Sequence, residues 1–290
     1  MNSNFCYKLG WIPDYPDIRD YTPEHKQIRK IMSNARRKQK PQKSESIDLR
    51  KWCSPVENQG DIGSCTAHAI SSVVEYFENK AFGKFNHVSR LFIYKATRNL
   101  LHTQGDTGAF LRSALGALVL FGTPPEEYWP YDTKKFDTEP DAFCYAFGQS
   151  YKGVSYFKHD PAGTSKKTVL ESIKKYLNDK VPSVFGFTVY QSITQADKTG
   201  MIPFPSVNEK ILGGHAIAAV GYDDSIQITN TVNGKTTTGA ILIKNSWGSE
   251  WGEDGYGWLP YDYILQGLAI DWWSLLKQDW VDMEQFSGEE

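Results

Sequence analysis

Between Thr66 and Glu78, apolar side chains fall at 69, 70, 73, 74 and 77, the spacing of a helix with one buried face. A second helix is predicted over Phe110 to Leu120, nearly all apolar apart from Arg112 and Ser113, with a stop at Gly122 followed by Pro124-Pro125. A third, Lys166 to Leu177, sets Val169, Leu170, Ile173 and Leu177 against lysines on the opposite face. After Pro182 the period changes. Val184 to Val189 and Ala216 to Tyr222 read as strands, and Ile226 to Ile228 and Ala240 to Ile243 flank Asn233-Gly234, a hairpin signal. Helices first and strands second argue an α+β fold with the two kinds of element segregated.

The first 46 residues have a different texture. They open on Gly10-Trp11-Ile12-Pro13-Asp14-Tyr15-Pro16-Asp17 and close on a basic run from Arg36 to Ser44. They hold ten Lys and Arg against five Asp and Glu, a net of +5; the remaining chain holds 22 against 29, a net of −7. Such a segment is either drawn to the acidic body or left as a solvated, unfolded tail.

The chain has 290 residues, 40% hydrophobic and 23% charged, enough for one large domain or two lobes sharing a cleft. A formal net charge of −2 calls for neither nucleic acid nor an anionic membrane, and no stretch approaches the ~18 apolar residues of a membrane span. The first thirty residues contain no apolar signal region, and N-x-[ST] sites are absent, so a cytoplasmic location is expected. The four cysteines, Cys6, Cys53, Cys65 and Cys144, are too few for a disulfide scaffold and none form a CxxC pair; a Cys53–Cys144 bridge stays open.

Chemistry concentrates in three places. In Asn58-Gln59-Gly60-Asp61-Ile62-Gly63-Ser64-Cys65, a glycine-rich loop delivers a cysteine to the start of the first helix. Unpaired N–H groups and the helix dipole there favour thiolate over thiol, although a buried structural cysteine would also fit. His215 stands in Gly213-Gly214-His215-Ala216 at the mouth of an apolar strand, a rigid seat for an imidazole. Lys244-Asn245-Ser246-Trp247-Gly248 follows another strand; an Asn there can orient an imidazole, and an indole can shield that bond. His68, one turn past Cys65, is the only rival base, and sharing the helix with the thiol disfavours it.

In the order Gln, Cys, His, Asn these pieces resemble the papain-like cysteine peptidases over roughly residues 47–270. Ile47-Asp48-Leu49-Arg50, Tyr128-Trp129-Pro130-Tyr131 and Gly255-Tyr256-Gly257-Trp258 add to the likeness. The resemblance implies a two-lobed fold, a helix-rich lobe (about 47–145) facing a β-barrel-like lobe (about 146–270), with the site in the cleft and a C-terminal extension from 271 to 290. It makes Cys65 the nucleophile, His215 its base, Asn245 the orienting residue, Trp247 the shield, and Gln59 with the Cys65 N–H the oxyanion hole. It assigns Gly108 and Ala109 to substrate backbone pairing, and Phe110, Leu111 and Ala216 to an apolar subsite. The implied reaction is peptide hydrolysis without metal or organic cofactor. Here Ile62 and Thr66 replace the family's usual Cys and Trp beside the nucleophile, so one family disulfide cannot form. Residues 1–46 are then expected to be a short pro-segment, with Trp11 to Tyr21 in or near the cleft. The alternatives are a catalytically silent peptide-binding scaffold, or an acyltransferase or amidase with the same residues.

Overall fold

A computed structural model describes residues 6–37, 44–148 and 154–277; most of the basic run, at 38–43, lies outside them. The first predicted helix is α2 (Cys65–Phe82), which closes on Gly83 in the left-handed conformation, φ 68°, where a side chain would be strained. With α3 (Arg90–Leu100), capped by the Ser89 hydroxyl on the Phe92 N–H, and α4 (Leu111–Phe121), it forms the helical lobe. A short helix, α5 (Ala142–Phe147), closes that lobe.

The second lobe is an antiparallel sheet. Its strands run in the order β4 (Val154–Lys158), β9 (Ala269–Lys277), β5 (Ser183–Tyr190), β6 (Ile211–Thr229), β7 (Thr236–Lys244) and β8 (Tyr256–Pro260), and β2 (Ser46–Asp48) pairs with β6. Among the described residues β4 and β8 do not pair, so the sheet stays open where a barrel-like lobe was expected. The third predicted helix, α6 (Lys166–Asn178), and the short α7 (Tyr261–Leu265) cover it. The Asn233-Gly234 signal holds, but within a longer loop: Thr229 faces Thr236, and Gly234 takes the left-handed conformation. Residues 271–277, read as the start of an extension, are instead strand β9 between β4 and β5, with Trp272 and Trp273 wholly buried. Their alternation was hidden by two adjacent indoles that both find the core.

The four cysteines are free, so Cys53 and Cys144 are not bridged. The N-terminal segment is not a detached tail. α1 (Lys26–Arg37) buries Ile28, Ile31 and Met32, and β1 (Trp11–Ile12) pairs in parallel with β3 (Ala109–Phe110), Trp11 opposite Ala109.

Candidate active site

Register brings the distant motifs together. On β6, His215 lies opposite Phe187 of β5, and Ala218 lies opposite Lys244 of β7. Asn245, one residue further, therefore comes alongside the imidazole. His215 Nε2 and Asn245 Oδ1 are 2.8 Å apart. An amide oxygen only accepts, so Nε2 carries the proton and Nδ1 carries a lone pair. Nδ1 is buried and has no hydrogen-bond partner. Trp247 stacks on the ring at 4.5 Å and 19°.

Cys65 opens α2, fully buried, with its sulfur against the backbone of Ala216, the residue after His215. Burial pushes the thiol up to about 11, opposed by hydrogen bonds from the N–H groups of Ala216, Gly10, Thr66 and Cys65 itself. Burial likewise pushes His215 down to about 4, with the Asn245 hydrogen bond opposing. The sequence argued for a thiolate at a helix N-terminus. Here burial is the largest influence on both groups, raising the thiol and lowering the imidazole, and so favours the neutral form of each.

The loop before α2 is sewn to the loop after β7. The Gln59 N–H donates to the Ser246 carbonyl at 2.8 Å, and Asn58 bridges Trp247. The Ser246 hydroxyl donates to Gln59 Oε1 at 2.7 Å, which fixes the amide so that Nε2 donates to the carbonyls of Ile62 (3.0 Å) and Lys8 (3.1 Å). Behind it, the Tyr131 hydroxyl donates to the Gln59 carbonyl at 2.8 Å and also meets Ser64 Oγ. His68 turns into this packing, Nδ1 against Ser64, pushed down to about 3 by burial.

The cleft is filled by the chain's own N-terminal segment. Tyr7 stacks on Trp247 at 4.3 Å and 8°. The Lys8 carbonyl sits on the Gln59 amide, and Gly10 donates to the Cys65 thiol and accepts from the Ala109 N–H at 2.8 Å. A Cβ on Gly108 would lie 2.1 Å from the Gly10 oxygen, so only glycine permits this approach. Trp11, 6% exposed, lies over two bare positions: a Cβ on Gly186 would come within 1.9 Å of its indole, and one on Gly214 within 2.7 Å. Cleft occupation thus begins at Tyr7, earlier than expected. Tyr15, Asp20 and Tyr21 run on outside it, where Asp20 pairs with Arg112 and the Tyr21 carbonyl accepts from Lys158.

Of the anticipated subsite residues, Gly108 and Ala109 meet Gly10 and Trp11, and Phe110 approaches Tyr15 at 6.2 Å. Ala216 lies beside Cys65, and Leu111 is fully buried at the start of α4. Gly186 and Asp106 were missed. A glycine inside the apolar strand Val184 to Val189 was the signal for the first; nothing local marked Asp106.

A thiol at a helix start, an Asn-oriented imidazole on a facing sheet and an amide aimed into a cleft between two lobes together define a cysteine-dependent hydrolase. Residues 43–266 match the papain family cysteine protease domain, and the chain belongs to that family. It is 35% identical over 287 residues to an uncharacterized peptidase C1-like protein of Acanthamoeba polyphaga mimivirus, covering 93% of this chain and 87% of that one. It is 27% identical over 221 residues to chymopapain of Carica papaya, covering 73% and 53%. Among solved structures it resembles xylellain, a cysteine protease from Xylella fastidiosa, with TM-score 0.72, 32% identity, and 93% and 96% of the two chains covered. The protein is a cysteine peptidase, and family membership does not favour the silent-scaffold or acyltransferase readings.

Proposed function

We propose that Cys65 and His215 hydrolyse peptide bonds in a site that residues 7–14 hold closed until the segment is released. Cys65 gives its proton to His215 and attacks the substrate carbonyl, forming a thioester as the amine leaves with a proton from the imidazolium; water then releases the acid. Asn245 keeps the Nε2–H tautomer, and the Gln59 amide with the Cys65 N–H receives the oxyanion. The observation that carries this reading is the 2.8 Å His215–Asn245 bond beside a sulfur held at the start of α2.

Two features support closure. The segment covers the thiol, and its backbone runs the wrong way for cleavage. His215 must reach the leaving amine, so the C-terminal half of a substrate lies toward Trp247 and its N-terminal half toward Ala109. The segment has the earlier Tyr7 at Trp247 and the later Trp11 at Ala109. With the segment gone, water returns to the pair and the helix N-terminus again favours the thiolate.

The test is labelling by a peptidyl electrophile. A chain beginning near residue 44 should be modified rapidly, the full chain slowly, and Cys65→Ala not at all. Equal rates for the two lengths would dismiss the closure, and labelling that survives Cys65→Ala would dismiss the nucleophile.

A further inference from the structure

We propose that Asp106 selects a cationic side chain, Lys or Arg, on the substrate residue that supplies the scissile carbonyl; this rests on the peptidase reading above. The chain's own Lys8 fills the oxyanion position in the closed form. Lys8 places its carbonyl on Gln59 Nε2 at 3.1 Å, and the same residue's ammonium lies 3.4 Å from Asp106 Oδ2. A single lysine thus spans from the oxyanion position to this carboxylate. That span is a property of two fixed points and does not depend on which way the backbone runs.

Both points are rigid. Asp106 Oδ1 accepts from the Gly63 N–H at 2.7 Å and from the Tyr94 hydroxyl at 2.6 Å, while Tyr94 also accepts from the Gly108 N–H at 3.1 Å. The carboxylate is therefore tied to the loop that presents Cys65 and to the edge that pairs with Gly10 and Trp11. One oxygen is spent on this brace, which leaves Oδ2 for a cation. With 17% of its side chain exposed, Asp106 is screened less than a surface carboxylate yet stays open to an entering ammonium or guanidinium. The basic run, Arg36, Arg37, Lys38, Lys40 and Lys43, lies between the segment seated in the cleft and strand β2, and carries side chains of the same chemistry within the chain itself.

The test uses the full chain carrying Trp11→Ala, which loosens the segment. Peptides differing only in lysine against norleucine at the residue before the scissile bond are compared by kcat/KM. The lysine peptide should be favoured about tenfold or more, and Asp106→Asn, which keeps an oxygen for the Gly63 and Tyr94 brace, should bring the ratio close to one. The ratio is read rather than either rate, so an effect on folding or on the brace cancels. Peptidyl chloromethyl ketones with the same two side chains report the same ratio through Cys65 labelling where turnover is slow. A ratio near one in the parent, or one unchanged by Asp106→Asn, overturns the proposal. Failure of both ketones to label Cys65 in a chain beginning near residue 44, where no segment covers the thiol, would overturn the peptidase reading instead.

Discussion

Replacing Trp11 by alanine should release the cleft. The indole is buried at 6% exposure over Gly186 and Gly214, whose missing side chains make room for it. Truncating a buried Trp to Ala costs about 3–5 kcal/mol when the surroundings cannot collapse. Both floor positions are backbone of paired strands, so collapse is limited here. At ~1.4 kcal/mol per factor of ten, the open fraction should rise about 10²- to 10³-fold or more. The assay is the second-order rate at which Cys65 reacts with iodoacetamide in the full chain. If opening and closing are fast, that rate tracks the open population and should rise by the same factor, up to the rate of the segment-free chain. An unchanged rate in a Trp11→Ala protein that still melts cooperatively would refute the assignment of Trp11 as the anchor.

The Asp14 carboxyl is pushed up to about 6, first by burial and then by the Asp271 charge, with Lys158 and Arg112 opposing. Released, it returns to the ordinary range near ~3.9, so its share of the docking is complete below about pH 4 and fades as pH rises through 6. Wild-type labelling should therefore gain on Asp14→Asn, which imitates the protonated form, between about pH 4 and 6 and level off above; a flat ratio across that window counts against the linkage. Gln59→Ala in an opened chain should lower kcat by about 10²- to 10³-fold, measured on any cleaved peptide, and a loss confined to KM would argue against an oxyanion role. Gly186→Val should clash with Trp11 and raise Cys65 reactivity in the full chain. Inhibition as tight as in the parent would mean the indole finds another seat.

What the sequence alone makes legible is local. Cys65, His215 and Asn245 each sit in a short motif whose glycines, strand or helix start announce the backbone they need, but each motif alone was ambiguous, and the roles expected of them came from the family resemblance that the motifs carry together. Helices α2, α4 and α6 were equally legible from periodicity. The contacts that close the site were not. Asp14 donates its N–H to Asp271 and accepts from the Trp273 indole, pairs more than 250 residues apart. Gly186 matters because of an indole that arrives from residue 11. Neither relation leaves a mark near the residues concerned, and strand β9 lost its alternation because both of its tryptophans are interior.

The anchoring of α1 and β1 on the body has a consequence for timing. Scission anywhere between them and the peptidase lobes would remove the tether but none of the contacts. The severed piece would stay seated as a bound ligand, at first with the high effective concentration that the linker gave it, and would leave only as dilution and its own dissociation rate allow. Cutting and switching on are then separate events, and a nicked preparation would gain activity slowly and faster the more dilute it is kept.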